Sequence, residues 1–280
     1  MKDVHITAAM LARFAQALQE AEKSGATVEK YLRDVRKFAA WLEGRAVSKR
    51  LIVEYKEQLG REYAVASANS MLASIHALLR FCGRMDMSVR QFRVQRQAYL
   101  PEKRELSREE YQRLVQAARQ QGKGRLCCLL QTICATGMRV SEVQFITVEA
   151  VRQGEALVQC KGKRRRVFLV EHLRRLLKRY IREQGLTEGP VFRTRRGKPL
   201  GRTAIWREMK ALCRAARVLP EKVFPHNLRH LFARIFYGME KDIAKLADIL
   251  GHSSINTTRI YIASSGAEHR QRMESMHLIL

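Results

Sequence analysis

The chain has 280 residues, of which 46% are hydrophobic, and this is enough for two ordinary cores and excludes a disordered protein. Lys and Arg number 53 against 27 Asp and Glu, and the formal charge of +26 indicates a polyanionic partner more than a generally basic surface. There is no run of about 18 apolar residues and no separate basic amphipathic helix, so nucleic acid is favoured over a membrane surface.

Cysteine spacing and missing motifs argue against metals and nucleotides. The six cysteines form no C-x-x-C pair, and several lie in apolar runs such as L-C-C-L-L. We expect them to be small buried side chains in a reducing compartment, without zinc or disulfides. The chain also lacks a G-x-x-x-x-G-K-S/T loop and a carboxylate cluster, so no cofactor, metal or small-molecule ligand is expected.

Apolar residues recur at helical spacing through the first 90 residues. Amphipathic stretches begin at Thr27 and after Ser70, and shorter apolar segments cover 11–18 and 51–59. We expect a bundle of about four helices over residues 1–90. The helical period is then lost in an arginine-rich segment that contains the first of the five prolines, and an interdomain linker is predicted at 91–105.

The second domain is predicted to begin with a capping box. Ser107 precedes Glu110 by three residues, which predicts a helix running to about residue 120. A buried helix is expected over 126–135, ending near Gly137. The next helix should open at Arg139, placing that arginine at a helix junction.

Two short β-prone runs follow, over 156–160 and 166–170, separated by K-G-K-R-R. They predict a hairpin with a basic tip, after which the pattern is again mostly helical. The expected fold is therefore mainly α with a small β-hairpin: a helical bundle, a linker, a mixed but mostly helical domain over 106–265, and a tail over 266–280.

Six side chains of the second domain could attack a phosphodiester without a metal: two guanidiniums, one ammonium, two imidazoles and one phenol. Arginines are suited to clamping the non-bridging oxygens, and the phenol would be the nucleophile. The six residues are Arg139, Lys161, His226, Arg229, His252 and Tyr261.

Four ordered segments carry these residues: A-T-G-M-R-V-S-E-V, K-G-K-R-R-R-V-F-L, P-H-N-L-R-H-L-F-A and L-G-H-S-S-I-N-T-T-R-I-Y. In order and spacing they resemble the catalytic motifs of the tyrosine recombinases, the phage integrase superfamily. The stretch T-V-E-K-Y-L-R-D-V-R-K-F-A-A-W-L is similar to the first helix of that family's core-binding domain, and the short layout resembles Xer-type enzymes.

The resemblance implies a role for each residue. Arg139 and Arg229 match the arginines that neutralise the transition-state phosphate, and Tyr261 matches the nucleophile. His226 matches the histidine that assists proton removal from the tyrosine, and His252 the one that donates a hydrogen bond to the phosphate.

Lys161 matches the lysine that acts as general acid, with Lys163 as its rival; here Cys160 replaces the family's usual glycine. Lys163, Arg164 and Arg165 are candidates for contacts with DNA phosphates. Glu142, in R-V-S-E, is expected to orient an arginine by ion pairing.

Simpler interpretations of these residues stay open. Arg139 could form a surface salt bridge with Glu142, and Tyr261 could be a core tyrosine between two isoleucines. His252 could belong to a helix cap near Gly251. His230 is expected to point away from the site and to be structural.

The expected activity is cutting and rejoining of DNA strands through a 3′-phosphotyrosyl link, with two domains clamping the duplex. A homotetramer on DNA, with an accessory or partner recombinase possible, is implied, with the tail packing in cis or in trans. The alternatives are a type IB-like topoisomerase and a catalytically silent DNA-binding accessory protein. The start of the chain lacks a secretory signal, and we expect a cytoplasmic, nucleoid-associated protein.

Overall fold

The computed structural model describes residues 4–93, 105–160, 163–262 and 274–275, without the side chains of residues 160 and 163. The chain forms two compact units, residues 1–96 and 97–280. Their boundary falls within the predicted linker, of which residues 94–104 lie outside the described part. In the described part of the chain, no helix is both long and apolar enough to cross a membrane.

The described part of the first unit, residues 4–93, is a bundle of four α-helices, as predicted. Serine or threonine N-caps start three of them, since the side chains of Thr7, Ser24 and Ser48 accept hydrogen bonds from the first turn. Phe38 and Leu72 are buried completely in its interior. The helices are α1 (Ala8–Glu20), α2 (Gly25–Leu42), α3 (Lys49–Glu62) and α4 (Val65–Phe81), followed by a 3-10 turn at Met85–Met87.

The second unit is mostly helical, so the predicted fold class is confirmed. Its α-helices are α5 (Arg108–Gln120), α6 (Gly124–Thr136), α7 (Val148–Gln153), α8 (Glu171–Glu183), α9 (Arg202–Lys210), α10 (Cys213–Ala216), α11 (Pro225–Glu240), α12 (Ile243–Leu250) and α13 (Ile255–Ile262). Short 3-10 helices lie at Val140–Phe145 and Pro220–Lys222.

Helix α6 is the centre of this unit. Its apolar residues are buried on several sides, and it packs against α5, α8 and α11. The predicted capping box is present at the start of α5, where Ser107 and Glu110 exchange hydrogen bonds. Gly137 ends α6 with a left-handed φ of 63°, and the chain turns there into the segment that carries Arg139.

The predicted hairpin is present, but the bounds of its second strand differ from the prediction. Strand β1 is Glu155–Cys160 and strand β2 is Lys163–Phe168; they are antiparallel, with Cys160 opposite Lys163. The second strand therefore begins three residues earlier than expected, and most of the predicted basic tip is strand.

A run of arginines hid the two-residue period of β2. Val167 is buried, and Arg165 lies on the same face with its side chain only 16% exposed. Arg164 and Arg166 alternate with them and face solvent. The inward-facing arginine makes this strand look polar on both faces in the sequence.

Candidate active site

Helix α11 presents two candidate side chains within its first two turns. Pro225 occupies the first turn, where its missing N–H costs no hydrogen bond. His226 and Arg229 are three residues apart and so share a face of the helix. Helix α13 brings Tyr261 to that face, and the turn after α12 brings His252.

Arg229 is a fully buried guanidinium, with a relative exposure of 0%. Its Nη1 donates to the Gly137 carbonyl at 2.7 Å, and its Nη2 lies 2.8 Å from the Leu250 carbonyl oxygen and 2.7 Å from His252 Nε2. Burial, with the charge of Arg139, lowers the pKa of Arg229 to about 10. The group therefore stays cationic at neutral pH, held by neutral acceptors.

Arg139 is more accessible, with 34% of its side chain exposed. It donates to Glu142 Oε1 at 2.9 Å, and its backbone N–H donates to Glu142 Oε2 at 2.7 Å. It also reaches the carbonyls of Leu250 (3.5 Å) and Gly251 (3.4 Å). Two guanidiniums, those of Arg139 and Arg229, thus meet at the Leu250 carbonyl, where the dipole of α12 is negative.

The predicted ion pair of Glu142 is present, and it is not a surface salt bridge because Glu142 is only 1% exposed. Burial opposes ionisation, but the backbone hydrogen bond from Arg139 and the charges of Arg165 and Arg139 outweigh it and lower the pKa of the Glu142 carboxyl. Glu142 is therefore a carboxylate shared by two arginines.

Arg165 differs from its expected position. We expected it to face DNA phosphates, but its Nη2 donates to Glu142 Oε2 at 2.7 Å and its Nη1 to the Ile249 carbonyl at 2.8 Å. Its chain passes over Gly251, where an added Cβ would lie 2.5 Å from Arg165 Cδ. Arg165 therefore faces inward and not toward DNA phosphates, because its guanidinium pairs with a buried carboxylate.

His252 adopts a definite tautomer. Arg229 has only donors, so the His252 Nε2 beside it accepts, and Nδ1–H donates to Thr258 Oγ1 at 2.9 Å. Burial and the charges of Arg229 and Arg139 lower the pKa of His252 to about 4. The backbone N–H of His252 also bonds to the Ala247 carbonyl, closing the turn after α12, so a capping position and a place in the site coexist.

Tyr261 is 6% exposed, and its hydroxyl lies 3.0 Å from His226 Nε2. His226 is exposed as a residue, but partial desolvation of its ring, followed by the charges of Arg229 and Arg139, lowers its pKa. The neutral imidazole is therefore favoured at pH 7. The Arg229 guanidinium lies 5.6 Å from the centre of the Tyr261 ring. The tyrosine packs in a small apolar cluster, yet its hydroxyl faces a neutral base.

The sequence led us to expect that His230 points away from the site, but in the structure it lies within the site. Its ring stacks on Tyr261 with 4.1 Å between centroids and 11° between planes, and it contacts His226 edge-on at 4.8 Å. Burial and His226 lower the pKa of His230 to about 4, while a hydrogen bond with the Tyr261 backbone opposes this shift. Its spacing of four from His226 was the available signal, because residues four apart share a helix face.

The hairpin lysines remain predictions. Lys161 lies outside the described residues, as does the side chain of Lys163. Arg164, the third phosphate candidate, is exposed on β2. Within the described ranges, no group of three or more His, Cys, Asp or Glu side chains is placed to hold a metal ion.

The second unit therefore brings five of the six predicted residues together. A phenol beside a neutral imidazole can lose its proton as it attacks, and two guanidiniums beside it can neutralise a phosphoryl centre. This arrangement is suited to nucleophilic attack on a phosphodiester.

Comparison with known proteins places the chain in a family. The phage integrase family profile matches residues 104–268, and the N-terminal SAM-like domain of phage integrases matches residues 11–85. The tyrosine recombinase XerD of Pseudomonas aeruginosa is 29% identical over 96% of this chain and 95% of its own. The tyrosine recombinase XerA of Pyrococcus furiosus is 26% identical over 100% of this chain and 98% of its own.

Solved structures share the fold. A crystal structure of lambda integrase residues 75–356, a dimer bound to a COC' core site, matches with a TM-score of 0.76 and 16% identity, covering 95% of this chain and 97% of that one. The XerH recombinase bound to difH substrate, a pre-cleavage complex, matches with a TM-score of 0.70 and 20% identity over 96% and 84%. With its site and both domain matches, this chain belongs to the phage integrase family of tyrosine recombinases.

Proposed function

We propose that this chain is a site-specific DNA recombinase whose nucleophile is Tyr261. The observation that carries the proposal is the 3.0 Å contact between the Tyr261 hydroxyl and His226 Nε2, beside a buried cationic Arg229. An unassisted phenol, with a pKa near 10, is a poor nucleophile at neutral pH. A neutral imidazole at hydrogen-bond distance can accept the phenolic proton and so activate the oxygen.

In the proposed reaction the Tyr261 oxygen bonds to phosphorus while the bond from phosphorus to the 5′ oxygen breaks. The phenolic proton passes to His226. The departing 5′ oxygen takes a proton, which we assign to Lys161 on the hairpin turn, with Lys163 as the alternative. The product is a 3′-phosphotyrosyl link, and attack by a 5′ hydroxyl of another strand reverses the step and rejoins the DNA.

Arg139 and Arg229 would stabilise the negative charge that develops on the non-bridging oxygens. Both now bind carbonyls at the end of α12, so a phosphate would take over some of these donors. Tyr261 is nearly covered, and a phosphate therefore reaches its hydroxyl only after a local rearrangement. His252, which accepts a hydrogen bond from Arg229 in the free protein, would become a donor by protonation or by a change of tautomer.

Energy of the broken bond is kept in the covalent link, so the reaction needs neither a metal nor ATP. The proposed partner is duplex DNA, as for the DNA-bound lambda integrase and XerH. A lambda integrase tetramer on a Holliday junction supports a tetramer for this chain as well. The tail over 266–280, almost entirely outside the described residues, would pack in cis or reach a neighbour, and an accessory or partner recombinase would complete the assembly in the cytoplasm.

The test uses nicked duplexes taken from DNA around the chain's own gene, so that the short fragment with the new 5′ hydroxyl diffuses away after cleavage. Wild type is expected to form a covalent protein–DNA adduct. Tyr261→Phe should bind the same DNA with unchanged affinity and form none. An adduct that survives this substitution would refute the assignment of Tyr261.

Two further measurements separate the alternatives. Transfer of strands between two differently labelled duplexes is expected of a recombinase, whereas relaxation of supercoiled DNA without transfer would identify a topoisomerase. Binding without any adduct would identify a silent accessory protein.

A further inference from the structure

Arg165 is a third arginine that converges on the end of α12, and the proposed reaction gives it no role. The last carbonyls of that helix take donors from three different guanidiniums: Ile249 from Arg165, and Leu250 from Arg229 and Arg139. Arg229 and Arg139 belong to the site. Arg165 comes from the hairpin strand β2, so it connects a separate element to the same helix end.

The connection also runs through Glu142. One carboxylate oxygen accepts from the Arg139 side chain at 2.9 Å, and the other accepts from Arg165 at 2.7 Å and from the Arg139 backbone N–H at 2.7 Å. With both oxygens occupied, the carboxylate is held against rotation, and so is the Arg139 guanidinium, whose Nη1 binds it.

The side chain of Arg165 is closely enclosed by its surroundings. Only 16% of its side chain is exposed, and its aliphatic part passes across Gly251 at a distance that leaves no room for a Cβ. Gly251 has a left-handed φ of 65°. A phosphate contact would require Arg165 to leave a carboxylate that is 1% exposed, and Glu142 would then keep Arg139 alone as its cationic partner.

We propose that Arg165 is a positioning residue: by holding Glu142 and the last turn of α12, it fixes the guanidinium of Arg139 for the scissile phosphate. The inference rests on the proposed function. It assigns to Arg165 an effect on the rate of the chemical step and none on DNA affinity.

The experiment measures two quantities on the nicked substrate: the rate of adduct formation at saturating DNA, and the affinity over a range of salt concentrations. Arg165→Ala is expected to slow the adduct about 100-fold, the typical cost of a misplacement near 1 Å. The affinity and its salt dependence should stay at wild-type values, since loss of a phosphate contact would reduce the salt slope by about one.

Arg166→Ala is the matched control. Arg166 is the next residue on the same strand and carries the same charge. Its side chain is 69% exposed, and its Nη1 lies 3.7 Å from Glu155 Oε1. This variant should keep the wild-type adduct rate. Arg165→Lys keeps the positive charge but lacks the planar guanidinium, so its adduct rate should be about tenfold higher than that of Arg165→Ala.

A double-mutant cycle with Arg139→Ala separates positioning from a general structural effect. If Arg165 acts through Arg139, adding Arg165→Ala to that variant should slow the remaining reaction by no more than about threefold. If Arg165→Ala does not fold, the same double-mutant cycle is measured with Arg165→Lys.

Three results would overturn the proposal. The first is an unchanged adduct rate in Arg165→Ala, and the second is a weaker dependence of its DNA affinity on salt. The third is a double variant whose fold-loss in adduct rate equals the product of the two single losses. If wild type itself forms no adduct, the proposed function fails and the role of Arg165 fails with it. A wild-type adduct combined with any of the three results refutes the role alone.

Discussion

Replacing Gly137 by alanine tests the packing that supports the site. The residue ends α6 with φ of 63°, and an added Cβ would lie 2.4 Å from Phe232 Cδ1 and 2.9 Å from Leu250 Cδ2. Its carbonyl is also an acceptor for Arg229. We expect a cost of about 1–2 kcal/mol for the left-handed backbone, and a further cost of about 1–3 kcal/mol because neighbouring side chains must shift.

Gly122→Ala is the control that isolates the second cost. Gly122 has a similar φ of 65°, but an added Cβ there meets no atom within 4 Å. The difference in the free energy of unfolding between the variants is therefore the packing cost. It should lower the Tm of Gly137→Ala by roughly 2–12 °C relative to Gly122→Ala, since 1 kcal/mol shifts a unit of this size by 2–4 °C. Equal Tm values in differential scanning calorimetry would refute this reasoning.

Three further predictions concern charge. Glu142→Ala leaves Arg139 without its buried partner and should lower the free energy of unfolding by about 3 kcal/mol in urea titrations, whereas a loss below about 1 kcal/mol would contradict the shared-carboxylate arrangement. Arg164→Ala, at an exposed position of β2, should weaken DNA binding and reduce the salt slope by about one, with an unchanged slope counting against a phosphate contact. The pKa values of His230 and His252 are lowered to about 4, because both imidazoles are partly buried and lie near other cationic or imidazole groups. Unfolded histidines titrate near pH 6.5, so the free energy of unfolding should be fully retained above that pH and fall toward pH 4, by up to about 1.4 kcal/mol per pH unit for each imidazole; a flat profile would contradict neutral histidines in the fold.

Elements with strong local signals were predictable from the sequence. The capping box at Ser107 and the glycine stop at Gly137 depend on neighbouring residues alone, and both helices formed where the sequence indicated. The grouping of Arg139, Arg229 and Tyr261 followed from four ordered motifs, although these residues come from elements far apart in the chain.

The errors concern residues whose partners are distant in sequence. Arg165 looked solvated because its neighbours are basic, and only the register of β2 and the position of Glu142 reveal that it faces inward. His230 looked structural because a lone histidine is more often structural than functional, and its contact with Tyr261 depends on how α13 packs against α11. Pair contacts between elements are set by tertiary packing, and periodicity does not encode them.

The central claim is that Tyr261 becomes covalently joined to DNA. The most direct measurement is digestion of the purified adduct with protease and nuclease, followed by mass spectrometry of the nucleotide-bearing peptide. We predict a 3′-phosphonucleotide on Tyr261, within the peptide that contains I-N-T-T-R-I-Y. A nucleotide on another residue, or a link through a 5′ phosphate, would contradict the account.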